Sequence, residues 1–110
     1  MKDELRQKLT SEIQYSDWED LLPHFAHERL FACREDLALL EAGVAIALDD
    51  VEHIKELIRS GQLFTPTDEQ AMSWFASKET FRFLIVQPYV LVKRQMTGDA
   101  EFNEVYFTDA

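Results

Sequence analysis

Cysteine, proline and glycine are scarce in this sequence, which has one, three and three of them among 110 residues. A single cysteine, Cys33, cannot form an intrachain disulfide, so nothing indicates an oxidising compartment. Three glycines that lie far apart cannot form a phosphate-binding loop or a dinucleotide fingerprint. No apolar run is long enough to span a membrane, and the residues MKDELRQKL lack the apolar core of a signal peptide. We therefore expect a cytoplasmic protein with no membrane association and no cofactor.

Basic residues are also scarce, because 11 of them stand against 21 acidic residues and give a formal net charge of −10. Such a surface repels phosphate backbones at ordinary salt concentrations. Lys93 and Arg94 are the only adjacent basic pair, and the sequence has no basic stripe of the kind that nucleic-acid binders carry. We therefore expect no nucleic-acid partner.

What the chain does contain is typical of a packed globular domain, with 46% hydrophobic and 12% aromatic residues. Its length is about that of one domain. The segment 97–110 differs in carrying four acidic residues and no basic ones beside several aromatic residues. We expect one domain over residues 1–96, followed by an acidic and aromatic extension over 97–110 that could add a strand at 102–108.

Helices are predicted first near the amino terminus. Three apolar residues at four-residue spacing predict an opening helix of about 12 residues that ends near Tyr15: Leu5, Leu9 and Ile13. Ser16 and Glu19 have the spacing of a capping box, so a second helix is predicted to begin at Asp17. Pro23 is expected to stop or kink that helix, because proline lacks an amide hydrogen.

The segment 36–60 has an apolar face that suits either one long helix or two shorter ones. Asp49 followed by Glu52 is a capping pattern, so we favour a break there and a second helix that ends at Gly61. A further helix is capped by Thr65 or Thr67. We expect its apolar residues to face inward or nearly so: Ala71, Met72, Trp74 and Phe75.

Strands are predicted where short apolar and aromatic runs are bounded by charged or turn residues, at about 28–33, 80–86 and 89–95. The run TFRFLIV is apolar at most positions, as expected of a strand buried on both faces. Pro88 marks a bend, a bulge or an edge. The predicted fold class is α+β: a single small domain with four or five helices packed on a three- or four-stranded sheet.

Two histidines, His24 and His27, lie three residues apart and are followed by Glu28. This spacing can supply two ligands to zinc, which needs three or four. The third histidine, His53, lies on a different predicted helix, and H-x-x-H-E is not a zinc-protease motif. We interpret His24, His27 and Glu28 as structural residues, weak candidates for a metal site, and expect neither a metal site nor a catalytic set. Glu41, the only charged residue from 37 to 48, is interpreted as a solvent-facing position.

These observations favour a non-enzymatic protein-interaction or regulatory module, acting on an unknown protein partner or as a homo-oligomer. Candidate interaction residues are Trp18, Phe25, Gln87, Pro88 and Tyr89. One alternative is a metal-assisted or acid–base enzyme that combines the two histidines with Asp20 or Glu28. A second alternative is an acidic mimic of nucleic acid, which would need carboxylates arrayed on one face.

Three stretches together resemble a family of small bacterial cytoplasmic proteins catalogued as a domain of unknown function: WEDLLPHF at 18–25, LDDVEHIKELIRSGQL at 48–63 and FRFLIVQPYVLV at 81–92. The resemblance covers about residues 5–95. It implies a free-standing bacterial cytoplasmic domain and brings neither a reaction nor catalytic residues. The segment after Met96 is an addition to that pattern.

Overall fold

Residues 2–95, which the computed structural model describes, form five helices and five strands. The helices are α1 (Lys2–Ser11), α2 (Trp18–Ala26), α3 (Leu39–Ala47), α4 (Val51–Arg59) and α5 (Asp68–Ala76). The strands are β1 (Gln14–Asp17), β2 (Leu30–Cys33), β3 (Leu63–Phe64), β4 (Thr80–Val86) and β5 (Tyr89–Arg94). The predicted α+β class and helix number are confirmed, but the sheet has five strands instead of three or four.

The strands form one mixed sheet in the order β1-β4-β5-β2-β3. Strands β4 and β5 are an antiparallel hairpin closed by a turn at Gln87 and Pro88, with Leu84 opposite Leu91. Strand β2 runs parallel to β5, whereas the outer strands β1 and β3 pair antiparallel with β4 and β2. The predicted strands at 80–86 and 89–95 are thus confirmed as the centre of the sheet.

Both faces of the central strands are buried, as the apolar run in β4 predicts. On one face, Leu84 and Leu91 pack in a cluster with residues of α1, α3 and α4. On the other face, Phe81, Val90 and Val92 pack with residues of α2 and α5. Two layers of helices therefore enclose the sheet, and each layer has its own apolar core.

The amino-terminal prediction is wrong between Glu12 and Asp17. Helix α1 ends at Ser11, and residues 14–17 form β1 along the otherwise unpaired edge of β4. Backbone pairing with β4 over residues 14–17 thus outweighs the helical spacing of Ile13, a tertiary contact that local spacing does not reveal. Helix α2 begins at Trp18, and its cap is Asp17, which accepts a hydrogen bond from the Asp20 amide at 3.1 Å; Ser16 is not the cap.

The other helix boundaries are closer to expectation. Pro23 lies inside α2 and does not stop it, because proline removes one donor while its own carbonyl still accepts from the His27 amide at 3.1 Å. Residues 36–60 form two helices, as favoured, but the α4 cap is Asp50 and not Asp49. Helix α5 is capped by Thr67 in a capping box with Gln70.

The strand predictions differ from the structure in two places. Strand β2 begins at Leu30, and the short strand β3 was not predicted. The extension at 97–110, with the strand considered for 102–108, lies outside the described residues.

Across residues 2–95, none of the helices has the length and apolar character needed to cross a bilayer.

Close contact between α3 and β4 generates a prediction at Gly43. A Cβ atom at this position would lie 2.5 Å from Leu84 Cδ2, and Leu84 is fully buried. Gly43→Ala should lower the free energy of unfolding by about 1–3 kcal/mol, because steric strain exceeds the roughly 1 kcal/mol that alanine adds to helix stability. Urea unfolding measures the change. Adding Leu84→Val should recover part of the loss, and an unchanged or higher stability of the single variant would contradict the prediction.

Candidate functional site

The histidine-rich stretch forms the carboxyl end of α2. Glu28 has a φ of 60°, its amide donates to the Phe25 carbonyl at 3.0 Å, and the Arg29 amide donates to the His24 carbonyl at 3.2 Å. This pair of bonds around a left-handed residue is the Schellman closure of a helix. Glu28 therefore has a backbone role that accounts for its position after the histidines.

The same closure recurs at three other helices. Asp49, Gly61 and Lys78 stand two residues beyond α3, α4 and α5, with φ values of 54°, 81° and 55°. Each is followed by an amide that donates back into the last helical turn. Only one of the four positions is a glycine, the residue that adopts this conformation at the least cost.

The geometry of a metal site is not formed in the described part of the chain. No three side chains of histidine, cysteine, aspartate or glutamate within residues 2–95 are close enough to share a metal ion. His24 is half-buried, whereas His27 and Glu28 are exposed. Asp20 is exposed in the first turn of α2, about one helix length from Glu28. The enzyme alternative therefore gains no support from these residues.

Two further candidates for chemistry have ordinary structural roles. Burial raises the pKa of the Cys33 thiol to about 12, although the nearby cations Lys93 and Arg82 oppose the shift. The thiol is therefore protonated and a poor nucleophile at neutral pH. Glu41 is exposed and forms an ion pair with Arg6 at 2.8 Å, in agreement with its interpretation as a solvent-facing residue.

Trp18 is fully buried at the centre of the core between α2, α5 and the sheet. Its ring centroid lies 5.0 Å from that of Trp74, 5.3 Å from Phe81 and 5.8 Å from Phe25. In this arrangement Trp18 has no exposed surface and packs beneath the partly exposed Phe25.

Gln87, Pro88 and Tyr89, which were predicted as interaction residues, are exposed at and beside the β4–β5 turn. Tyr89 packs edge to face against Phe31, with ring centroids 5.5 Å apart. Gln87 and Tyr89 line a cavity of about 470 Å³ beside α3 and α4, and its lining mixes polar and apolar groups.

A larger and almost wholly apolar groove of about 600 Å³ lies between α2 and α5. Its lining is Leu22, Phe25, Asp68, Ala71, Met72, Phe75 and Ala76. Met72 is 73% exposed and Phe75 is 51% exposed, so the expectation that both face inward is wrong. Their neighbours Ala71 and Trp74 occupy the buried side of α5 and leave Met72 and Phe75 on its outer side. Phe25 is the one predicted interaction residue that lines this groove.

The helices that form the groove carry acidic residues and neither lysine nor arginine. Four exposed carboxylates lie in their first turns: Glu19 and Asp20 of α2, and Asp68 and Glu69 of α5. His24 is the only histidine of the two helices. The groove therefore has an apolar lining that includes one carboxylate, Asp68, and the other three carboxylates lie in the first turns of the two helices that form it.

Comparison with known proteins adds a family and a fold. The model of the family described as "Protein of unknown function (DUF2288)" matches residues 4–94. The NMR solution structure of PA1075 from Pseudomonas aeruginosa is similar over 86% of this chain and 87% of that chain, with a TM-score of 0.75 and 26% sequence identity. No curated protein matches the chain.

The left-handed conformation of Glu28 predicts that Glu28→Gly stabilises the protein by roughly 0.5–1 kcal/mol, because glycine adopts this φ without steric cost. Chemical unfolding measures the difference. As a matched control, Glu19→Gly in the first turn of α2 should destabilise by about 1 kcal/mol, since it adds backbone freedom and removes a negative charge from the amino end of the helix. A loss of stability at Glu28→Gly would show that the side chain has a role other than helix closure.

The buried thiol generates a second prediction. With a pKa of about 12, only about one Cys33 thiol in ten thousand is ionised near pH 8, so a thiol-reactive dye should label the folded protein far more slowly than the unfolded protein. Above the unfolded-state value of 9.0, the unfolded chain loses its thiol proton and the folded chain retains it. The Cys33 contribution to stability should therefore fall as pH rises from 9.0 toward about 12. Equal labelling rates for the two states would contradict the prediction.

Proposed function

The chain belongs to the DUF2288 family of proteins of unknown function, which spans residues 4–94, and we propose that this domain is a protein-interaction module that binds a basic amphipathic helix in the groove between α2 and α5. The observation that carries the proposal is the exposure of Met72 and Phe75 above an apolar floor. As part of the same proposal, the module acts in the cytoplasm, because its one cysteine is buried and forms no disulfide.

The groove has the features of a docking surface. Met72 and Phe75 are three residues apart on one side of α5, and Leu22 and Phe25 have the same spacing on α2. Monomeric proteins rarely leave connected apolar surface of this kind uncovered unless it binds something. Methionine and phenylalanine side chains are also well suited to contact partners, because one is adaptable and the other buries a large area.

A helix suits this groove better than an extended peptide. The groove walls are helices, whose backbone groups are already paired within the helix, so they cannot form a ladder with an added strand. An extended peptide buried there would leave its amides without partners, whereas a helix satisfies its own. Apolar side chains at positions i, i+3, i+4 and i+7 of the guest would reach the floor.

The charge of the groove indicates a basic guest. Asp68 lines the groove, and Glu19, Asp20 and Glu69 lie in the exposed first turns of the two helices that form it. A second copy of this chain would bring the same carboxylates to the interface, and the acidic segment 97–110 carries four acidic and no basic residues. Both of these occupants would be repelled at short range, while lysine or arginine residues beside the apolar anchors would be attracted.

Two synthetic peptides test the proposal. Both have leucine and phenylalanine at one helical face, and the remaining positions are lysine in one peptide and glutamate in the other. The lysine peptide should bind the full chain more tightly, with an affinity that falls as salt rises. Phe75→Ser should weaken this binding at least tenfold, since it removes an aromatic anchor. Fluorescence anisotropy of labelled peptide measures both effects.

The matched control is Ile58→Ser, because Ile58 is 50% exposed on α4, a helix that packs on the opposite face of the sheet. It should leave binding of the lysine peptide unchanged. Equal losses for Phe75→Ser and Ile58→Ser, or equal binding of the two peptides, would overturn the proposal. Self-association that Phe75→Ser abolishes would identify a second copy as the occupant and would also overturn it.

A further inference from the structure

The cavity beside α3 and α4 is lined by polar side chains that make no polar contact within the described chain. Its polar lining consists of Asp49, Gln87 and Tyr89. No hydrogen bond or ion pair to any of these three side chains is found within residues 2–95. The Tyr89 ring packs against Phe31, which leaves its hydroxyl for other contacts. The cavity therefore offers a carboxylate, an amide and a phenol to a ligand.

The apolar part of the lining comes from four elements: Phe31 of β2, Ile46 of α3, Ile54 and Ile58 of α4, and Leu63 of β3. A volume of about 470 Å³ is in the range of sites that hold small organic molecules. Such sites are mostly apolar and contain a few polar groups that orient the ligand. This cavity has that composition, so it can take up an apolar body that carries one polar end.

The backbone fixes Asp49 between the two helices. Its φ of 54° places it in the left-handed region, its amide donates to the Ile46 carbonyl at 3.0 Å, and its carbonyl accepts from the Val51 amide at 2.9 Å. Both of its backbone polar groups are thus bonded, and the carboxylate extends from a fixed point. A group held in place before a ligand arrives costs less to order when the ligand binds.

The charge of the lining indicates a cationic ligand. Within residues 2–95 the lining contains one carboxylate and no lysine, arginine or histidine. The net charge of −10 also attracts cations and repels anions. A primary ammonium group has three N–H donors and no acceptor, which suits the oxygens of Asp49, Gln87 and Tyr89. The rings of Phe31 and Tyr89 add a further attraction, because aromatic faces bind cations.

We propose that this cavity binds a small primary amine, whose ammonium group contacts Asp49 and whose apolar body packs on Phe31 and Ile54. An amino acid fits less well, because its carboxylate would find no cation in the lining. The inference does not depend on the proposed helix groove. Residues of the cavity pack with the core cluster of α1, α3 and α4, whereas the groove lies over the cluster of α2 and α5 on the other face of the sheet.

Three ligands of equal chain length test the proposal: hexylamine, 1-hexanol and hexanoate. Each is titrated into the full chain at neutral pH and followed by the amide NMR signals of Ile54 and Tyr89. Hexylamine should bind at least tenfold more tightly than 1-hexanol, because a charge-assisted hydrogen bond is stronger than a neutral one. Its affinity should fall as salt rises. Hexanoate should bind most weakly, since Asp49 repels it.

Asp49→Asn removes the charge and preserves the backbone, because asparagine adopts a positive φ more readily than most residues. It should reduce the affinity for hexylamine at least tenfold, to about that of 1-hexanol, and leave 1-hexanol binding unchanged. The matched control is Asp50→Asn. Asp50 is the neighbouring carboxylate, does not line the cavity and caps α4, a role that asparagine fills equally well. This variant should change hexylamine binding less than twofold.

The proposal is overturned if hexylamine gives no saturable shift, if the amine and the alcohol bind equally, or if the two variants lose the same affinity. Shifts at Met72 and Phe75 in place of Ile54 and Tyr89 would also overturn it, because they would put the amine in the groove between α2 and α5. Since the lysine peptide is tested on Phe75→Ser and the amine on Asp49→Asn, failure of one proposal is distinguishable from failure of the other.

Discussion

The burial of both faces of the β4–β5 hairpin is the constraint on which the rest of the fold depends. Leu84 and Leu91 face one helical layer, while Phe81 and Val92 face the other, and all four are almost completely buried. A sheet that is apolar on both faces must be covered twice, and the five helices that cover it all precede the hairpin in the sequence. Helices α1, α3 and α4 cover one face, which leaves α2 and α5 for the other.

Two short helices cannot cover a five-stranded sheet completely. Strands spaced at about 4.8 Å make a sheet roughly 24 Å wide, whereas two helices side by side span about 20 Å. Trp18 and Trp74 fill the depth between α2, α5 and the sheet, so the core is closed below the groove. Above them the apolar groups of Met72 and Phe75 have no covering element within residues 2–95. The groove thus follows from the architecture, while the apolar residues on its rim are a feature that folding does not require.

The parts of the fold that were predictable from sequence are those with a strong local pattern. The apolar runs of β4 and β5, the capping box at Thr67 and the break near Asp49 are all of this kind. The strands β1 and β3 have four and two residues and are defined by backbone pairing with β4 and β2, which their own short sequences do not reveal. Glu28 was read as a candidate ligand because nothing local distinguishes a glutamate that closes a helix. The outward direction of Met72 and Phe75 depends on which side of α5 meets the sheet, and hydrophobicity alone does not decide this.

Charge is distributed unevenly over this acidic domain. Carboxylates lie in the first turns of α2 and α5, the helices that form the groove, whereas Arg82 and Lys93 lie directly opposite each other on β4 and β5. Side chains alternate between the faces of a strand, so Arg82 and Lys93 share the face of Leu84 and Leu91, which is the face covered by α1, α3 and α4. A basic helix bound in the groove would therefore lie near the carboxylates and be separated from these two cations by the sheet. The same alternation that divides the apolar core into two clusters thus also keeps this pair of cations away from the face that a basic partner would approach.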